Sequence, residues 1–181
     1  MRAQRVTVAP EIAAAAADRA AEHLLTLEQV LSAKRVALYS AVRGEISTAP
    51  AALALRDRGV SLVYPRVLRD ERRLAFHEVS DPSSMSPGAF GILEPDARAP
   101  LIAATAIDVI VVPGLAFDAH GGRVGWGHGY YDTTLASTGD ALHVGYAFEL
   151  QMVEIVPIDA DDAAMDCVIT EAHVRWTPSS S

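Results

Sequence analysis

Apolar residues come in short bursts along this chain, separated by glycine, proline or charge, and the rhythm alternates between helix-like and strand-like. Pro10 to Ser32 reads as one helix, rich in alanine, the best helix former. Ile12, Leu24, Leu25, Leu27 and Leu31 supply its apolar positions, and Pro10 followed by Glu11 suits a first turn. Arg35 to Val42, a compact apolar run between charges, reads as a buried strand. A second helix opens at Ser47 to Pro50, with Ser47 or Thr48 as N-cap, and runs to about Arg58, where Gly59 closes it. Val60 to Val67 and Leu74 to Val79 read as strands joined by a charged hairpin turn, Arg69 to Arg73. Pro65 is expected at a strand end, because proline brings no ladder donor. Asp81 to Pro100, dense in proline and glycine, reads as one long loop, and loops of that length inside a domain are usually functional or disordered. Ile107 to Val112 is the strongest strand signal, since Val109 to Val112 is continuously apolar and β-branched, as in a central parallel strand covered on both faces. Further on, Tyr130 to Ser137 suits a helix, His143 to Phe148 and Asp166 to Thr170 suit strands, and Glu149 to Val153 suits a helical turn. The expectation is one α/β domain over residues 1–176, a mostly parallel central sheet flanked by helices, with Thr177 to Ser181 a disordered tail.

Composition narrows the function. With 181 residues, 50% hydrophobic and 21% charged, the chain is long enough for one well-filled core. No apolar run reaches the ~18 residues a membrane helix needs. Glu11 and Asp18 bracket the alanine run, unlike the basic-then-apolar order of a signal peptide. A cytoplasmic protein, monomeric or a small homo-oligomer, is the expectation. A net charge of −8 argues against a general nucleic-acid binder, which would need a basic face. Fourteen of the 15 basic residues are arginine, whose planar fork suits phosphate and carboxylate. Cys167 is the single cysteine, which excludes an intrachain disulfide and a thiolate metal cage; its apolar neighbours mark it as a buried small hydrophobe. His23, His77, His120, His143 and His173 show no metal-ligand spacing, and no Gly-x-Ser-x-Gly elbow is present.

The segment with chemistry in it is Val112 to Asp132, which leaves the carboxyl end of the best strand, where open α/β sheets place ligands. Gly125, Gly127 and Gly129 alternate there, so backbone N–H groups can approach an anion without side chains in the way. The helix expected from Tyr130 would add the partial positive charge of its N-terminus. Arg123 and His128 can donate to phosphate oxygens, and Asp132 can hold Mg²⁺ alongside phosphate. The spacing matches neither the P-loop nor the dinucleotide fingerprint, so on spacing alone a tight surface turn is an equal reading.

The order Pro113-Gly-Leu-Ala-Phe-Asp118, then Gly121-x-Arg-Val-Gly-x-Gly-x-Gly-Tyr-Tyr-Asp132, resembles the signature of the 5-formyltetrahydrofolate cyclo-ligases, also called 5,10-methenyltetrahydrofolate synthetases. Supporting segments stand in the same order: Val36 to Tyr39, Gly44 to Thr48, Val63 to Pro65, Gly91 to Pro95, Val144 to Phe148 and Asp166 to Thr170. The resemblance implies an ATP- and Mg²⁺-dependent ligase of one-carbon metabolism that closes 5-formyltetrahydrofolate to 5,10-methenyltetrahydrofolate. It assigns ATP to the loop Arg123, Val124, Gly125, Trp126, Gly127, His128, Gly129, Tyr130 and Tyr131, with Arg123 and His128 on the phosphates as the catalytic pair. It places Mg²⁺ at Asp132 and Asp166, and the folate against Glu45, Gly91, Ile92, Leu93, Glu94 and Tyr130. On the residues alone, Glu45 is also readable as a solvated strand end, Asp166 as a strand cap, and the tyrosines as packing.

Three features depart from the family pattern. The family begins with a basic Lys-x-x-Leu-Arg helix that helps bind ATP, whereas Met1 to Arg5 resembles the stretch just after it. Arg2 and Arg5 are then the substitute cations, and a longer start is the other expectation. His128 stands where glycine or lysine is usual, and Thr133 where bacterial members often have arginine. The loop is therefore expected to be short of positive charge, which keeps a non-catalytic or altered-specificity folate- or nucleotide-binding paralogue as the alternative.

Overall fold

A computed structural model describes residues 5, 7–157, 159 and 162–178. Alanine makes the first helix, α1 (Pro10–Leu24), possible as a close-packing element: Ala16, Ala17, Ala20, Ala21 and Leu24 form one buried face. The single helix expected to Ser32 is two, because α2 (Glu28–Ser32) starts after a break. At that break the Thr26 hydroxyl takes the His23 carbonyl at 2.7 Å, and Leu27 turns extended (ψ 126°) to bury its side chain. Strand β1 (Arg35–Ala37) follows, then helix α3 (Ala49–Asp57). Thr48 precedes α3 without capping it; its hydroxyl donates instead to the Tyr39 carbonyl at 2.8 Å, and Ser47 Oγ accepts from Ala49 N–H at 3.2 Å.

Next come β2 (Ser61–Leu68) and β3 (Arg73–Glu78), the expected hairpin. Pro65 lies inside β2, not at its end, and costs no ladder bond there. The β1 pairing stops at Val63, and Val67 N–H, on the same edge as Pro65, bonds the Glu94 side chain and not a strand. The long loop is ordered by a small hairpin, β4 (Ser86–Pro87) with β5 (Leu93–Glu94), and it returns to the sheet edge as β6 (Leu101–Ile102). The buried Glu94 carboxylate explains much of that order, accepting N–H groups from Ala89 (3.0 Å) and Val67 (3.4 Å) with Arg66 at 3.7 Å.

Strand β7 (Val109–Val112) is central, as its apolar run predicts. A two-stranded ribbon, β8 (Ala116–Phe117) with β9 (Arg123–Val124), then helix α4 (Tyr130–Leu135), β10 (Leu142–Tyr146), β11 (Cys167–Ile169) and β12 (Val174–Trp176) complete the chain. The eight-stranded sheet runs β12-β11-β10-β7-β1-β2-β3-β6, parallel across its centre and antiparallel at both edges. Its period-two alternation divides the core. Val36, Val109, Val111, Val144 and Cys167 face α1 and α3, while Ala37, Ile110, Val112 and Val168 face Phe117 and Leu135. Thr177 is held rather than loose, since its N–H and hydroxyl both donate to the Asp166 carbonyl; residues 179–181 lie outside the described residues. Among the described residues no helix is long and apolar enough to cross a membrane.

The ribbon is pinned to the sheet by Phe117, whose ring fits only because Gly114 and Gly145 lack side chains. A Cβ at Gly145 would sit 2.7 Å from the Phe117 ring, and one at Gly114 2.6 Å from it. Gly145→Ala is therefore expected to cost about 1–3 kcal/mol by overpacking, measured as a lowered urea midpoint with an unchanged m-value.

Candidate active site

The carboxyl ends of β1 and β7 lie side by side, and the segments leaving them enclose a cavity of about 410 Å³. From the β1 side come Tyr39, Ser40, Val42, Arg43 and Glu45; from the long loop Phe90, Ile92 and Glu94; from the glycine-rich loop Arg123 through Asp132. Pro65, Val67 and Leu74 of the hairpin close one wall. The cavity thus collects Glu45, Ile92, Glu94, Arg123, Val124, Gly125, Trp126, Gly127, His128, Gly129, Tyr130, Tyr131 and Asp132 from the residues singled out in the sequence.

Three do not line it. Gly91 has open space around its α-carbon at a φ of +75°, so it shapes the turn. Leu93 faces a neighbouring cavity of about 370 Å³, and its carbonyl accepts from Ser40 Oγ at 2.8 Å. Asp166 stands at the amino end of β11, the opposite end of the parallel strands from the cavity, and its carboxylate accepts the His143 N–H at 2.7 Å. It therefore acts as the strand cap, the other reading open to it. Among the described residues of that stretch, Asp162 does line the cavity.

The electrostatic floor of the site is an ion pair. Arg123 Nη2 lies 2.5 Å from Asp132 Oδ1, with the two side chains 4% and 25% exposed, so the arginine is shielded from bulk water and the carboxylate only partly so. Arg123 also reaches the Pro113 carbonyl at 3.5 Å and lies 5.7 Å from the Tyr131 ring, while its Nε has no partner among the described residues. Burial pushes the Tyr131 hydroxyl, and likewise that of Tyr39, well above the usual tyrosine range. Gly125 serves this arginine directly, since a Cβ there would meet Arg123 Nη1 at 2.8 Å. Gly127 and Gly129 have a different task, adopting φ of +82° and +70° to turn the chain into α4.

Glu45 faces the pair from the β1 side. Its Oε1 accepts the Trp126 indole N–H and its Oε2 the Val42 N–H, both at 3.1 Å. Burial raises its proton affinity above the usual carboxylate range, against the opposing pull of those two hydrogen bonds and of Arg5 and Arg43. His128 stacks on Phe90 with ring centroids 5.1 Å apart and planes at 12°, and Tyr130 meets Phe90 edge-on, joining the glycine-rich loop to the long loop.

The expected shortage of positive charge is a property of the loop and not of the site. Arg43 lines the cavity, Arg69 lies over Phe90 at 5.1 Å, and Arg72 reaches the His128 carbonyl. Arg5 is nearby, donating to the Gly114 and Arg43 carbonyls, and does not line the cavity; Arg2 lies outside the described residues. Phe90 and Arg43 escape sequence reasoning because distant segments bring them in. The one local hint is an aromatic residue beside glycines in a long loop.

A metal would find a limited donor set. Among the described residues no three His, Cys, Asp or Glu side chains cluster as a metal cage. Mg²⁺ is commonly held by one or two carboxylates with phosphate and water completing its shell. Asp132 fits that part and Asp166 does not.

The family model for the 5-formyltetrahydrofolate cyclo-ligase family matches residues 1–171. The 5-formyltetrahydrofolate cyclo-ligase of Escherichia coli (strain K12) is 31% identical, over 97% of this chain and 100% of that one. The solution structure of Aquifex aeolicus 5,10-methenyltetrahydrofolate synthetase superposes with a TM-score of 0.86 at 31% identity, covering 99% of this chain and 90% of that one. A 5,10-methenyltetrahydrofolate synthetase from Mycoplasma pneumoniae shares the fold at a TM-score of 0.76 and 20% identity, over 94% of this chain and 93% of that one.

Arg123 owes its position to the ribbon turn, and Asp118 holds that turn. Its buried carboxylate accepts N–H groups from His120 and Gly122 at 2.8 Å and from Val156 at 2.7 Å. Burial opposes ionisation there, but these hydrogen bonds outweigh it and hold the group below the usual aspartate range. Asp118→Ala should cost at least about 2 kcal/mol at pH 7 by stranding those donors. A depressed native pKa stabilises the fold above the unfolded value of about 3.9 and ceases to as pH falls through the native value. Denaturant melts should therefore show the gap between wild type and variant narrowing below about pH 4.

Proposed function

The chain belongs to the 5-formyltetrahydrofolate cyclo-ligase family, and on that footing we propose that it uses ATP and Mg²⁺ to close 5-formyltetrahydrofolate to 5,10-methenyltetrahydrofolate, releasing ADP and phosphate. The observation that carries the reading is the meeting in one cavity of a half-buried carboxylate, Glu45, with the Arg123–Asp132 pair and the glycine-rich loop.

The reaction needs the formyl oxygen turned into a leaving group. Its carbonyl is a formamide, a poor electrophile, and the oxygen leaves only once it carries a phosphoryl group from ATP. The folate N10 then attacks the activated carbon, and inorganic phosphate departs. Phosphoryl transfer asks the protein mostly for positioning and charge neutralisation. Arg123 supplies a desolvated cation whose fork is fixed by Asp132, and His128 and Arg43 add donors at the cavity wall. Mg²⁺ held by Asp132 and phosphate oxygens would neutralise charge on the transferring group. The N–H groups of Gly127 to Tyr130 bind phosphate oxygens, with no Cβ at Gly127 or Gly129 in the way. On the folate side Ile92 and Tyr130 flank the ring system. Glu45, made more basic by burial, accepts a proton as N10 bonds to carbon.

Incubation with 5-formyltetrahydrofolate, ATP and Mg²⁺ should generate the near-ultraviolet absorbance of the methenyl product, and chelating the metal should abolish it reversibly. Glu45→Gln should lower kcat/KM by about 10²-fold or more. In the wild type the acid limb of the rate profile should lie above the ordinary glutamate range, because a base with a raised pKa works only once pH has passed it. Well-folded protein that yields no product overturns the reading. Binding of folate or ATP by calorimetry without turnover would instead favour a binding paralogue.

A further inference from the structure

We infer that Arg5 is a positioning residue of this cavity: its guanidinium fixes the Trp126 indole, and the indole in turn holds the Glu45 carboxylate where substrate meets it. The inference rests on the cyclo-ligase reading of the cavity only for its kinetic consequences.

Arg5 is 2% exposed and does not itself line the cavity. It spans three segments far apart in sequence. Nη1 donates to the Gly114 carbonyl at 2.9 Å, where the glycine-rich loop begins, and Nη2 to the Arg43 carbonyl at 3.3 Å, in the turn after β1. The same guanidinium lies 5.5 Å from the Trp126 ring centroid, and that of Arg43 lies 5.1 Å from it. Among the described residues the indole is thus contacted by two cations, an arrangement that gains most when desolvated.

Local backbone supplies little of that order. Trp126 sits between Gly125 and Gly127, the second at φ +82°, so the torsions on either side are the least restrained in a protein chain. Contacts must fix the indole, and among the described residues Arg5 is a contact that is itself buried and anchored to two backbone carbonyls. The consequence reaches Glu45 through the 3.1 Å indole hydrogen bond. The charged and titratable groups facing that carboxylate are Arg5 and Arg43, which favour its ionised form, and the buried hydroxyls of Tyr39 and Tyr131. Losing Arg5 removes a cation and loosens a donor at once, so both effects push Glu45 towards protonation. An arginine working as a phosphate ligand would face the cavity, and Arg5 lies behind Trp126.

The test uses the full chain carrying Trp176→Phe, a change in exposed β12 that leaves Trp126 as the one indole of the sequence's two. The indole ¹H–¹⁵N resonance of Trp126 is followed against pH without substrate. It should titrate with Glu45 and lose that titration in Glu45→Gln. Arg5→Met should move and broaden the resonance and shift the titration midpoint to higher pH; Arg5→Lys, which keeps the charge without the fork, should do so less. In turnover, Arg5→Met should raise KM for the folate about tenfold and leave KM for ATP within about twofold. A folded Arg5→Met with an unchanged resonance and midpoint overturns the inference, as does a rise in KM for ATP alone. If Arg5→Met does not fold, the same resonance in Arg5→Lys decides, and no change there overturns it. The resonance readouts stand even if no cyclo-ligase turnover is found.

Discussion

The parallel pairing of β1 with β7 is the constraint on which the site depends. Parallel neighbours present their carboxyl ends on the same edge, so the turn carrying Arg43 and Glu45 must emerge beside the loop carrying Arg123 and Asp132. No local property of either segment would bring them together. The pairing is itself secured by burial on both faces, since Val36 and Val109 fill one layer of core while Ala37 and Ile110 fill the other. The hairpin and the long loop then have one open side of the cavity to close, and Glu94 clamps the long loop there through backbone N–H groups.

Within that frame the glycines do two kinds of work. Gly127 and Gly129 are needed for their left-handed backbone. Gly114, Gly122, Gly125 and Gly145 are needed for clearance, each leaving room for a particular side chain: Phe117, Asp118, Arg123 and Phe117 again. A glycine-rich loop here is as much a set of sockets for large and charged side chains as a bare surface for an anion. This explains how a short ribbon can be rigid enough to present Arg123 while so much of its neighbourhood lacks side chains.

Charge is organised in the same way. The chain carries a net −8, yet Arg43 and Arg123 line the cavity, and Arg5, Arg69 and Arg72 back it through Trp126, Phe90 and His128. Arg5 and Arg123 are buried and held by carbonyls and one carboxylate before any ligand arrives, while Arg43, Arg69 and Arg72 are exposed and rest against aromatic faces and the His128 carbonyl. Preorganised charge in a partly desolvated wall acts more strongly than the same charge on flexible side chains in water. The acidic balance of the whole chain says nothing about this local field.

The alternation of helices and strands, the central position of Val109 to Val112, and the family were all legible in the chain before folding, because apolar periodicity and an ordered set of motifs are local properties written in neighbouring residues. The sequence also marked Glu45, Arg123 and Asp132, which do converge on the cavity. The rest depended on how distant segments pack. That packing put Asp166 at the wrong end of its strand for the cavity, since the end of the sheet a residue occupies depends on strand direction. It broke the first helix where Leu27 gained more from burial than from another helical turn. It let Pro65 sit within β2, because only the sheet order shows that its edge is unpaired. And it set Arg5 against the Trp126 ring and the Gly114 and Arg43 carbonyls, contacts with residues 38 to 121 positions away that no local pattern announces.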